Sequence, residues 1–141
     1  QRARELGAHH TINYRTTPEW QEEVLRFTHG AGADVVLEVG GQGTVNRSVA
    51  SCAMGGSVAI IGGVSGFGGE VNPATLLAGA KRMVGIFVGS RAMLEHVMRF
   101  AASSDIKPVV DRVFNFDQAQ EAYRYMESGS HFGKVVISVT S

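Results

Sequence analysis

The chain has 141 residues, 44% of them hydrophobic and 18% charged, which suits a globular domain with its own core and excludes both two full domains and a disordered polypeptide. Thirteen basic residues offset thirteen acidic ones, so there is no basic footprint for nucleic acid or anionic lipid. A single cysteine excludes a disulfide framework and a multi-cysteine metal site, and with no apolar run of membrane length and no signal-peptide pattern a soluble cytoplasmic protein is expected.

In chain order, Gln1 to Leu6 reads as helix and Gly7 as its terminator. No N-cap or first turn precedes it, and so short a helix is unstable alone, so the chain is expected to start inside a helix. Thr11 to Tyr14 is β-prone. Thr17, Pro18 and Glu19 read as the N-cap, first-turn proline and first-turn acid of a helix carrying Trp20, Val24 and Phe27. Ala33 to Val39 is a nearly continuous apolar run, as in a strand covered on both faces; Glu38 within it is expected to hydrogen-bond backbone. Thr44 to Ala53 reads as helix with Val45, Val49 and Cys52 inward. Ser57 to Ile61 is a second buried strand. Asn72 and Pro73 open a short helix to about Ala80, and Met83 to Val88 is a third buried strand. Arg91 to Ala102 reads as helix with Leu94, Val97, Met98 and Ala101 inward. Val109 to Phe116 alternates like a half-exposed strand, Asp117 caps a helix with Ala119, Ala122, Tyr123 and Met126, and Lys134 to Val139 is a closing strand. Tyr123, Tyr125 and Met126 are assigned to packing.

Strands alternating with helices predict an α/β fold with a parallel sheet. Glycine is abundant, 18 residues against about ten from average usage, and it ends all three core strands. Ligands of open parallel sheets sit beyond the carboxyl ends of the strands, where glycine admits a flat ligand to the backbone. Yet "GGQGTV" after Val39 is not a dinucleotide fingerprint: Asn46 stands where the third glycine belongs, and no acid lies between Glu38 and Glu70 to hold ribose hydroxyls. The first motif of methyltransferases using S-adenosylmethionine fails on the same missing acid. A phosphate-binding half upstream of Gln1 is the remaining dinucleotide reading. A free-standing nucleotide-binding or interaction module and an S-adenosylmethionine-dependent methyltransferase stay open as alternatives.

The segments "RARELGAHHTINY", "ADVVLEVGG", "GGSVAIIGG", "VNPATLLAGAKRMVGIFVGS" and "HFGKVVI" resemble, in order, the C-terminal part of the medium-chain dehydrogenase/reductase superfamily, which holds the zinc-type alcohol dehydrogenases and quinone oxidoreductases. The resemblance implies an incomplete Rossmann-like, doubly wound parallel sheet, strands 3 to 6 of the family, truncated within that domain. Thr11 to Tyr14 is similar to the third strand, Asp34 to Val39 to the fourth, Val58 to Ile61 to the fifth and Met83 to Val88 to the sixth. It implies a partial dinucleotide-binding domain at residues 1–105, and at 106–141 a helix and strands returning to a GroES-like catalytic domain.

The implied activity is hydride transfer between NAD or NADP and an alcohol, carbonyl or quinone-type substrate, by an enzyme of which this chain alone is inactive. Carried over residue by residue, the resemblance places Val39, Gly40 and Gly41 near adenosine, and Ile61, Gly62 and Gly63 against nicotinamide. Phe87, Val88 and Gly89 offer backbone groups to the carboxamide, and Lys134 faces the pyrophosphate. No catalytic residue and no metal ligand is assigned; zinc belongs, where used, to a missing N-terminal part. His9 and His10 are read as surface residues and Cys52 as buried and inert. Bare sheet edges predict a homo-oligomer; the other partner is a small-molecule substrate, with no nucleic acid and no membrane.

Overall fold

Strand ends and helix caps can be followed through the computed structural model, which describes residues 1–139 and divides into two compact units, Gln1–Val88 and the chain from Gly89 onward. The resemblance implies a boundary at 105/106, whereas compactness groups the helix before that point with the strands after it.

The first unit runs α1 (Arg2–Glu5), α2 (Trp20–Phe27), β1 (Ala33–Glu38), α3 (Val45–Ser51), β2 (Cys52–Ile60), α4 (Pro73–Ala78) and β3 (Arg82–Gly85). The three strands form one sheet in the order β1-β2-β3, parallel throughout, with α3 and α4 as the crossovers that parallel pairing requires. Val36 pairs with Val58 and Val58 with Met83. Around Val58 gather Val49 and Cys52, with Val36, Ile60, Val71, Leu76 and Met83 packed against them. Full burial of a valine such as Val58 contributes about 1.5–3 kcal/mol. Asn72 caps α4 by accepting from the Ala74 amide at 2.9 Å, and Pro73 occupies the first helical position, as its sequence predicts.

The structure departs from the sequence reading at several places in this unit. Thr11 to Tyr14 is not a strand. It has no ladder partner among the described residues, and Asn13 instead gathers a turn, accepting from the amides of Thr16 and Thr17 through its carbonyl and from Arg15 through its side chain. Helix α2 begins at Trp20 with Glu19 at its cap position, not Thr17. β1 is not covered on both faces: Val36 and Glu38 turn inward while Val35 and Leu37 are 63% and 67% exposed, because alternate side chains point to opposite faces. Helix α3 stops at Ser51, and Cys52 to Gly56 is an irregular opening to β2. There Ala33 pairs with Cys52 but Val35 with Ser57. Lys81 Nζ takes the Val49 carbonyl at 2.7 Å, satisfying the last turn of α3. β3 ends at Gly85; the Ile86 amide donates once more to Ile60, and Phe87 and Val88 lie beyond the ladder, exposed.

The second unit runs α5 (Arg91–Ser103), β4 (Val110–Asn115), a 3-10 turn (Phe116–Gln118), α6 (Ala119–Glu127) and β5 (Lys134–Ser138), with β4 and β5 parallel. Ser90 caps α5 by accepting from the Met93 amide. None of α5 is buried: Leu94, Val97 and Met98, expected inward, are each more than half exposed. The helix after β4 is opened by a capping box of Asn115 and Gln118, not by Asp117. Phe114 and Ala122 are buried. Tyr125 packs as expected, its ring 4.3 Å from the Arg112 guanidinium and its hydroxyl donating to Asp111 Oδ2 at 2.6 Å; Tyr123 and Met126 stand largely exposed. No helix among the described residues is long and apolar enough to cross a membrane.

Candidate functional site

The carboxyl ends of the three parallel strands lie in one row, since Glu38 pairs with Ile60 and Ile60 with Gly85. Glu38, the last residue of β1, is 3% exposed. Its Oε1 accepts from the Gly41 amide at 2.8 Å and from Thr44 Oγ1 at 2.6 Å, and its Oε2 accepts from Ser48 Oγ. Burial pushes this carboxyl's pKa up, but the bonds from Ser48, Thr44, Gly41 and the Gly40 amide outweigh it, so the group sits below the usual carboxylate range. Donors that favour the charged form act in that direction. Thr44 is the N-cap residue of α3 yet makes no side-chain cap bond; its hydroxyl serves Glu38 instead. One buried carboxylate thus ties the strand end, the glycine turn and the first turns of α3 together.

The loops after β1 and β2 are bonded to each other. Ile61 and Gly62 amides donate to the Glu38 carbonyl, the Val64 amide to Val39 and the Ser65 amide to Gly40 at 2.7 Å. Ser65 Oγ also donates to the Gly40 carbonyl and accepts from the Gly43 amide at 2.9 Å, while the Gln42 amide donates to Gly66. A Cβ on Gly41, whose φ is +89°, would lie 2.3 Å from the Gly66 carbonyl oxygen and 2.7 Å from Gly63 Cα. No other residue fits there. The immediate neighbours of this glycine are the protein's own backbone, so loop-against-loop contact accounts for it.

Beside the turn is a cavity of about 420 Å³. Val39, Gly40, Gly43 and Thr44 line one side of it, Val64 and Ser65 the adjoining loop, and Tyr14, Pro18 and Trp20 a wall from earlier in the chain; Arg47 of α3 completes it. Of the residues implied by resemblance, Val39 and Gly40 line this cavity, and Gly41 and the Ile61–Gly63 segment are bonded or packed into the same loop pair. Phe87 and Val88 follow the neighbouring strand end, β3, and are exposed. Gly89 and Lys134 belong to the second unit; Lys134 opens β5, paired with Val110, and is exposed.

Tyr14, Trp20, Thr44, Arg47 and Ser65 are cavity residues that sequence reading did not single out. Trp20 reads correctly as helix, but nothing local signals that the start of α2 reaches the end of β1. Among the described residues, no three His, Cys, Asp or Glu side chains cluster to hold a metal ion, so the residues present do not fit a zinc site. His10 stacks on Phe27 at 3.8 Å, and Cys52 is buried with its thiol pKa raised, first by desolvation.

Residues 6–137 match the family described as zinc-binding dehydrogenase. The chain is 42% identical over 141 residues to a zinc-type alcohol dehydrogenase-like protein of Schizosaccharomyces pombe, covering 97% of this chain and 41% of that protein. It is 33% identical over 134 residues to an aldehyde reductase of Synechocystis sp., covering 95% and 38%. A crystal structure of an NAD-dependent alcohol dehydrogenase superposes with a TM-score of 0.86 at 37% identity, over 99% of this chain and 40% of that one. The alcohol dehydrogenase of Aeropyrum pernix superposes at 0.78 with 25% identity, over 96% and 38%. The chain therefore spans about two fifths of the length of these relatives. With a match running through nearly all of its length and a parallel α/β fold shared with solved alcohol dehydrogenases, the chain belongs to the zinc-binding dehydrogenase family.

Proposed function

We propose that this chain forms the cofactor-facing part of an NAD(P)-dependent oxidoreductase acting on an alcohol, carbonyl or quinone-type substrate. The observation that carries the reading is the Glu38-centred network. It locks the ends of β1 and β2 into one rigid rim with a cavity beside it, at the sheet edge where parallel α/β proteins bind ligands. The names of the relatives, alcohol dehydrogenases and an aldehyde reductase, support the same class.

In this reading Val39, Gly40 and Gly41 border the adenosine. Ile61, Gly62 and Gly63 lie along the nicotinamide, and Phe87, Val88 and Gly89 present backbone groups to its carboxamide. Lys134 supplies positive charge to the pyrophosphate. The nicotinamide, when bound, supplies the hydride chemistry; the protein binds, orients and shields. The apolar Ile61 and Val88 cover one ring face and leave the other to substrate. Residues 1–105 act as the cofactor portion and 106–141 as the return to a catalytic domain. We assign no residue of this chain a metal-binding or catalytic role, and the chain by itself turns over no substrate.

Adenosine monophosphate is the direct test of the rim. It is expected to bind this chain weakly, with the emission of Trp20, the sole tryptophan, responding as the cavity fills. No binding, or preferential binding of S-adenosylmethionine, overturns the reading, as does turnover of alcohols or quinones by the chain alone. The outer edges of β1 and β3 are unpaired among the described residues, and we infer self-association through them. A monodisperse monomer by light scattering at micromolar concentration contradicts that.

A further inference from the structure

One wall of the cavity comes from outside the sheet. Tyr14, Pro18 and Trp20 come from residues 14–20, a run of turns leading into α2. The opposite side comes from the glycine turn, which is anchored to β1 through Glu38. An ion pair joins the segment that bears this wall to α3. Glu19, immediately before Trp20, accepts from Arg47 Nη2 of α3 at 2.6 Å on one oxygen and from Gln21 Nε2 at 2.9 Å on the other. Arg47 also lines the cavity.

We propose that the Glu19–Arg47 ion pair positions the aromatic wall against the glycine turn and so sets the affinity of this cavity for the adenosine half of the cofactor. The inference rests on the reading of the cavity as the adenosine site. Both partners adjoin what they would align: Glu19 is one residue from Trp20, and Arg47 lies three residues beyond Thr44, whose hydroxyl is bonded to Glu38. The pair is held against a local cost. Arg47 Nε and Gln21 Oε1 are buried without hydrogen-bond partners, an arrangement that polar groups otherwise avoid. The Glu19 carboxyl lies below its usual range, first through Arg47 and then through Gln21.

Helix α2 also packs on α3, and packing alone could hold the wall. The two accounts differ in charge dependence. Adenosine monophosphate titrations of the 141-residue chain, followed by Trp20 emission, separate them. Glu19→Gln and Arg47→Gln are expected to weaken binding by about threefold, the size of effect open to an exposed pair. Arg47→Lys retains most of the affinity, and the exchange Glu19→Arg with Arg47→Glu recovers part of it. The gap between wild type and Glu19→Gln narrows as salt is raised. Circular dichroism checks that each variant is folded. Wild-type affinity in Glu19→Gln overturns the pairing role, including the case where Arg47→Gln alone is weakened, since Arg47 would then act on the ligand directly. If the wild-type chain binds no adenosine monophosphate, this inference and the reading of the site fall together; if it binds and the variants bind equally, only the inference falls.

Discussion

The strand-end rim of the first unit and helix α5 of the second rest on equally clear sequence signals, and they end in opposite states. The turn after β1 is bonded from several directions, with Glu38 buried and Gly41 pressed against Gly66 and Gly63. Helix α5 is well capped by Ser90 and carries a regular apolar stripe, yet none of its residues is buried. Local sequence codes for the helix; burial depends on what stands opposite. Rim variants should therefore be costly and α5 variants cheap, and any reversal of that order breaks the contrast.

The largest effect is expected from Gly41→Val. Its Cβ would overlap the Gly66 carbonyl oxygen at a φ of +89°, combining left-handed strain with overpacking, together about 3 kcal/mol or more. Because Trp20 lies in the first unit, urea unfolding monitored by its emission should show the loss, along with loss of adenosine monophosphate binding. Wild-type unfolding in this variant would mean that the two loops separate freely, and the rim would not be rigid.

Next comes Glu38. Replacing it by alanine strands the Gly41 amide and the Ser48 hydroxyl and leaves the Thr44 hydroxyl only its 3.4 Å bond to the Gly41 carbonyl, at about 1–3 kcal/mol. The same group gives a pH signature. Its folded-state pKa is depressed, so the unfolded state binds its proton more readily. The stabilisation is complete above the unfolded carboxylate range and is lost as pH falls through the lower folded value. Unfolding midpoints of wild type should drop on acidification more steeply than those of Glu38→Gln, which cannot titrate there. Parallel pH profiles would remove Glu38 from its central position.

How far the sequence leads is visible in these same residues. The strand "ADVVLE" and the Asn72–Pro73 helix start are legible because each signal is local: an apolar run, a side-chain acceptor, a fixed φ. Glu38 was legible as a backbone acceptor, since an acid at a strand end before glycines has amides within reach. The failures are non-local. Thr11 to Tyr14 has β propensity but no ladder partner among the described residues, and strand propensity without pairing produces a turn at Asn13. The Tyr14–Trp20 wall and Arg47 are separated in sequence by helix α2, strand β1 and the glycine turn, and no periodicity reports that they meet. Coverage of both faces of β1 was inferred from composition alone, which cannot say whether a layer stands over Val35 and Leu37.

A smaller effect is expected from Tyr125→Phe. The substitution removes the hydroxyl that donates to Asp111 at 2.6 Å while keeping the ring under Arg112, a loss of about 1 kcal/mol for one partly buried hydrogen bond. Far-ultraviolet circular dichroism in urea should detect it, with the Trp20 transition unmoved if the units unfold independently. A shift of both transitions together would show that the second unit's stability is coupled to the rim.

The smallest effect belongs to α5. Leu94 is 61% exposed and Met98 64%, so Leu94→Ala and Met98→Ala remove little buried area and should change stability by no more than about 0.5 kcal/mol each, the range of ordinary surface substitutions. A buried leucine truncated to alanine costs about 2–5 kcal/mol, so the measurement distinguishes the two states of this helix by a wide margin. Denaturation at two protein concentrations sharpens it. A cost that stays small at both concentrations leaves α5 as a solvated stripe. A cost that grows with concentration shows that another copy covers it, and the contrast between rim and helix then reduces to which of them is completed within one chain.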